Sequence, residues 1–220
     1  MNLRKVSLWV FGTIASLPSS LHAMQFDFTP LASLCRIEVH LSTGFGSGSV
    51  QGTFGRLSGS FQFVPEKPQL SQGKIVMASH SLRFGNPKVA HDAHAPDWLN
   101  SSKYPEISFQ CKGFKDFAWH GKELRTEAFG LLSIKGIEKI IRIPLSIHYY
   151  RGERRKYDGK LGDLLQIKGL VILPRSEFGL APGSFLGSVM ENVEIYVSVT
   201  GASERVRPLL PSRLLALNRF

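Results

Sequence analysis

The chain is poor in the features that mark most enzymes and membrane spans. No serine sits in a G-x-S-x-G elbow, no H-E-x-x-H occurs, and no glycine-rich phosphate loop follows a strand. Those absences argue against hydrolytic, zinc-peptidase and nucleotide chemistry, so catalysis is the minor alternative and nothing calls for a cofactor. Cysteine is scarce. Cys35 and Cys111 are the only two, too few for a thiolate metal site, and the pair His91 and His94 has no third ligand at a convincing spacing. An oxidised pair and two buried thiols are both compatible with the sequence.

Long apolar runs are also missing. The longest, LWVFGTIASL, follows Arg4 and Lys5 and gives way to Pro18-Ser19-Ser20 and Ala23. It is too short for a hydrocarbon core that needs about 20 helical residues, and its charged, apolar and small-residue zones are those of a secretory signal peptide over residues 1–23. Leu21 is a less favoured residue just before such a cleavage site, which leaves an uncleaved anchor as the alternative. Either way the body is exported. Acidic residues are outnumbered, 17 against 27 basic, for a net charge of +10, which favours anionic partners such as lipid head groups. With no basic helix, zinc-finger spacing or aromatic RNA-binding motif, nucleic acid is not an expected partner.

What is abundant is alternation of period two, in short segments punctuated by Gly, Pro, Ser and Asn. In CRIEVHL the residues Cys35, Ile37, Val39 and Leu41 share one face. The same holds for Leu57, Phe61 and Phe63, for Ile107, Phe109 and Cys111, and for Ile141, Ile143, Leu145 and Ile147. Later, Leu165, Ile167, Val171 and Leu173 alternate, as do Val193, Ile195, Val197 and Val199. With the segments near 50–54, 74–82 and 126–134, about eight strands are expected, buried on one face. That is an all-β, antiparallel domain over residues 24–202, and eight strands is the number at which a closed barrel can hold one small ligand. A short helix or ordered loop is expected near residues 91–104, where Asp, Pro and Asn break the alternation. YYRGERRKYDGKLGD is expected to be a long solvated hairpin connection. Residues 203–220 read as a basic tail whose Arg and Leu residues interleave, either a flexible extension or a segment that lies on an anionic membrane surface.

In order along the chain, SVQGTFGRLSG, ASHSLRFGN, DWLNSSKYPEISF, GLLSIKGIEKIIRIPL, ILPRSEFGL and VMENVEIYVSV resemble the motifs of the YceI-like family, lipocalin-like periplasmic proteins associated with polyisoprenoid binding. The resemblance runs from about residue 34 to 200. Two departures stand out: HDAHAPDWL is about two residues shorter than the family's loop, and Glu177 replaces an Asp in the Arg-x-Asp-Phe-Gly segment.

The resemblance implies a periplasmic binding protein whose barrel holds an isoprenoid or other long-chain lipid. Phe54, Phe61, Phe84, Trp98, Phe109 and Leu145 are the implied apolar lining. Arg83, Asp92, His94 and Arg175 are the implied polar end, since guanidinium forks suit phosphate. About ten methylene equivalents at ~0.8 kcal/mol each give roughly 8 kcal/mol of gross driving force, which association costs reduce to about micromolar affinity or weaker. An apolar barrel mouth could also pair two copies in a homodimer. The alternative function is an envelope stress or redox-chain accessory that acts through its surface.

Overall fold

The computed structural model describes residues 23–43, 48–181 and 189–207. Residues 1–22 of the expected signal peptide and residues 208–220 of the basic tail lie outside the described residues. Eleven strands form one sheet: β1 (Met24–Asp27), β2 (Arg36–Thr43), β3 (Ser49–Phe54), β4 (Leu57–Phe63), β5 (Gln72–Ala78), β6 (Leu82–Phe84), β7 (Glu106–His120), β8 (Glu123–Ile134), β9 (Ile137–Tyr150), β10 (Leu164–Pro174) and β11 (Val189–Ala202). Every pairing is antiparallel.

The eleven strands occupy eight positions around a closed barrel, because three positions are filled by broken strands. β11 pairs with β1 at Asp27 and with β2 from Arg36 onward, so β1 and β2 are two halves of one staircase interrupted by a 3-10 turn at Ala32–Leu34. β3 and β4 bend at Gly55-Arg56 in the same way, and β5 and β6 bend at the 3-10 turn Ser79–Ser81. Closure leaves few free edges, which removes the usual route to edge-to-edge association.

The alternation read from the sequence is the alternation of the barrel wall. Ile37, Leu41, Ile143, Ile147, Ile167 and Val199 are all buried, while their chain neighbours face outward. β8 and β9 are joined by Lys135-Gly136, both with positive φ (51° and 77°). That is the tight turn whose twist matches its strands, and it explains why a Lys-Gly pair stands there. At one end of the barrel, Phe26, Phe63, Phe114, Leu124, Ile147 and Val199 fill the interior completely. Phe114 stacks on Phe61 with centroids 5.7 Å apart.

The short helix or ordered loop expected near residues 91–104 is both a helix and a turn segment, with the helix set earlier. The helix is α1 (Pro87–His94), which starts earlier than the stretch 91–104, and residues 95–104 follow as turns. Asn86 supplies the reason: its Oδ1 accepts the Lys88 N–H at 2.9 Å, and Pro87 takes the first helical position, where a missing N–H costs nothing.

The 149–163 connection is likewise not simply solvated. A short helix, α2 (Arg155–Asp158), lies within it. Arg154 and Asp163 are both buried. The Asp163 carboxylate accepts from the Tyr149 hydroxyl (2.7 Å), the Gly152 N–H (2.7 Å) and the Arg207 N–H (2.8 Å). This network closes the filled end of the barrel.

Candidate functional site

The half of the barrel nearer α1 is not filled. It encloses a cavity of about 130 Å³ whose wall includes Ile37, Phe54, Met77, Phe109, Leu132 and Val193. No lining side chain carries a charge, a hydroxyl or an amide. Such a space cannot hold ordered water on polar partners, and it favours hydrocarbon. Its volume is below that of ordinary drug-sized pockets, roughly 300–1,000 Å³, so it suits a slender chain rather than a compact ring system.

Trp98, Leu99 and Leu180 cover the cavity at the α1 end. They come from two loops that are stitched together. The Ala181 N–H donates to the Asp97 carbonyl at 2.9 Å, and the Lys135 ammonium donates to the Gly179 carbonyl at 2.6 Å and to the Asp97 carbonyl at 3.3 Å. The Arg175 guanidinium lies 6.0 Å from the Trp98 ring centroid and donates to the Leu180 carbonyl at 2.8 Å. Leu99 and Leu180 were not readable as cavity residues, because they sit in loops with no period for a pattern to follow.

Of the six apolar residues singled out in the sequence, Phe54, Phe61, Trp98, Phe109 and Leu145 line the cavity. Phe84 does not. It lies in register with Gly52, where a Cβ would come 2.6 Å from the Phe84 ring, so the ring rests on bare backbone beyond the cavity's edge.

None of the four polar residues lines the cavity. Arg83 is exposed and donates to the His80 carbonyl at 2.7 Å. Arg175 braces the cover as described. Asp92 sits on α1, two residues before His94. His94 Nε2 contacts the Leu82 carbonyl at 3.0 Å and so must carry its proton, while Nδ1 accepts from the Ser101 hydroxyl at 2.9 Å. Ser101 in turn receives from Ser79 at 2.8 Å, both serines being buried. Burial, opposed by the Leu82 carbonyl, holds this imidazole below the ordinary histidine range. His94 is thus a neutral strut between α1 and the turn at Ser79–Ser81.

The two cysteines are free thiols. Cys111 belongs to the cavity wall, where burial pushes its thiol up to about 11. Cys35, half-buried beside β11, takes the Thr200 N–H at 3.4 Å, and burial raises it as well. Thiols held protonated in this way are poor nucleophiles and poor metal ligands. Among the described residues no cluster of His, Cys, Asp and Glu could hold a metal ion.

An eight-position antiparallel barrel, filled at one end and hollow toward a helix-capped other, is the frame on which the comparisons with known proteins fall. The profile of the YceI-like domain matches residues 29–201. The chain belongs to the YceI-like family. Its relatives include a UPF0312 protein of Azotobacter vinelandii, 26% identical over 159 residues, which cover 72% of this chain and 77% of that one. A UPF0312 protein of Pseudomonas savastanoi is 24% identical over 73% of this chain and 77% of its own.

Among solved structures, BcnA of Burkholderia cenocepacia superposes with a TM-score of 0.62 at 17% identity, covering 77% of this chain and 97% of that one. A polyisoprenoid-binding domain from Saccharophagus degradans, implicated in plant cell wall breakdown, superposes with a TM-score of 0.59 at 10% identity, covering 83% and 99%. At these identities the YceI-like barrel is what is shared.

Proposed function

We propose that this chain is an exported, periplasmic binding protein that holds the isoprenoid or similarly slender tail of a lipid in its barrel, and that it acts by binding rather than by catalysis. The observation that carries the reading is the cavity wall, assembled from ten of the barrel's strands and two covering loops without one charged or hydroxyl-bearing side chain. A hydrocarbon chain enters such a space with its gain roughly proportional to the apolar area removed from water. The polyisoprenoid-binding structural neighbour supports the ligand class, and the amino-terminal pattern supports export.

The test is native mass spectrometry, with lipid extraction, on protein purified without detergent from an envelope fraction. A bound species of isoprenoid mass is the expected result. Protein that arrives bare and also refuses added prenyl lipids would overturn the reading in favour of an accessory that works through its surface.

A further inference from the structure

The hydrogen-bond ladder between β9 and β10 is incomplete. It runs from Leu164↔Tyr150 to Gly169↔Leu145 and stops there. Beyond that point Ile137–Pro144 pairs only with β8, and Leu170–Pro174 pairs only with β11. The first residue of β9 past the last pair is Pro144, which has no N–H to offer a ladder. At the last pair the wall is thin. A Cβ on Gly169 would stand 2.4 Å from Leu145 Cδ2 and 2.9 Å from the Pro144 carbonyl oxygen, so the Leu145 side chain lies directly on glycine backbone.

Outside this thin place is a second concavity, a groove of about 640 Å³ on the outer face of the barrel. Leu145, Gly169 and Val197 lie at its floor, and Leu145 and Val197 also line the inner cavity. The groove is crossed by one register row spanning five strands: Arg36 on β2, Ser198 on β11, Lys168 on β10, Ser146 on β9 and Arg125 on β8. With strands roughly 4.8 Å apart, its three cations recur about every 10 Å with a hydroxyl between each pair.

The acidic group facing the groove is Glu38, which pairs with Arg36. Arg125 pairs with Glu123 at 3.2 Å, outside the groove lining. Lys168 is exposed, and its ammonium has no ion pair or hydrogen bond among the described residues. The groove therefore keeps an excess of positive charge centred on Lys168, next to a one-side-chain wall over an apolar cavity.

We propose that this groove is the head-group site for an anionic amphiphile. Its phosphate-class oxyanion sits on Lys168, Arg125 and the flanking serines, and its tail passes into the cavity between β9 and β10 just beyond the Leu145–Gly169 pair, between Pro144 and Leu170, where the ladder has ended. The assignment rests on the lipid-binding reading above, and it adds that the ligand's head is anionic and lies against the barrel wall rather than at the α1 end. Charge-assisted hydrogen bonds to an oxyanion are about twice as strong as neutral ones, so they separate ligands that share a tail and differ in the head.

The test is isothermal titration of the intact chain with farnesyl phosphate, farnesol and inorganic phosphate, repeated on Lys168→Gln and Arg125→Gln. Wild type is expected to prefer farnesyl phosphate to farnesol by about tenfold, and each variant to lose roughly three- to tenfold toward farnesyl phosphate. Farnesol affinity is expected to move less than twofold, which also shows that the variants are folded. Inorganic phosphate is expected to bind at least about a hundredfold more weakly than farnesyl phosphate, because it lacks the tail. An unchanged preference in both variants would overturn the head-group assignment while leaving lipid binding in place. Inorganic phosphate bound as tightly as farnesyl phosphate would make the groove a free-anion site unconnected to the cavity. Failure of both prenyl compounds to bind would remove the lipid-binding reading itself.

Discussion

His94 stands where a sequence reader would look for a ligand, yet both its ring nitrogens are engaged, one by the Leu82 carbonyl and one by Ser101. Its role is to join α1 to the turn at Ser79–Ser81, which in turn carries Leu82 into the cavity wall. Because burial lowers its pKa below 6.5 in the folded protein, the unfolded chain binds the proton more readily through the interval between the two values. Stability therefore rises with pH across that interval, is fully present above the unfolded value near 6.5, and is lost as pH falls below it through the folded value. His94→Gln is expected to cost about 1–3 kcal/mol at pH 7.5, the usual cost of leaving buried partners unsatisfied, and to flatten the loss of thermal stability between pH 7.5 and 5. Melting curves at both pH values check this, and a variant with the wild-type pH dependence would refute the neutral-strut role.

Elements in this barrel are held as much by their ends as by their ladders. The connection after β9 is fixed by Asp163, fully buried and receiving three donors. Asp163→Ala leaves the Gly152 and Arg207 N–H groups and the Tyr149 hydroxyl without their acceptor. Hydrogen bonds to a charged group contribute about 1.5–3 kcal/mol each, so a loss of at least about 3 kcal/mol is expected by chemical denaturation. A loss under about 1 kcal/mol would show that the loop is held by something else.

That network was invisible in the sequence, where Arg, Lys, Asp and Gly read as solvated hairpin, because its partners lie 11 to 44 residues away. The strands were legible wherever alternation ran unbroken, as through Ile141, Ile143, Leu145 and Ile147. The breaks within the β1/β2, β3/β4 and β5/β6 positions were not, since apolar alternation resumes on the inward face after each bend. The helix start was readable in principle from Asn86-Pro87, a cap followed by a first-turn proline. Among candidate site residues, the apolar ones on β3, β4, β7 and β9 (Phe54, Phe61, Phe109 and Leu145) fell in the cavity wall because period two fixes their face. Phe84 fell just outside because its level in the barrel depends on pairing with Gly52, and pairing is long-range.

At the scale of the molecule, one end of the barrel is packed solid and the other is hollow, an asymmetry that a protein built only for stability would not keep. Hollow space in a core costs stability in proportion to its volume, whereas a ligand that binds only the folded state returns about 2.7 kcal/mol at a hundred times its Kd. Ala128 sits on the inward face of β8, buried and in the cavity wall, in register with Phe114, so Ala128→Phe directs a ring into the hollow at its boundary with the filled end. If the hollow is the lipid site, this variant should bind farnesol at least about tenfold more weakly, since roughly two lost methylene contacts suffice for that change. Its own stability should stay within the ~1–3 kcal/mol typical of core overpacking. The thermal shift on adding farnesol should fall in the same proportion. Full farnesol binding by a folded Ala128→Phe protein would mean that the lipid sits elsewhere, and the cavity would then be a packing defect rather than a site.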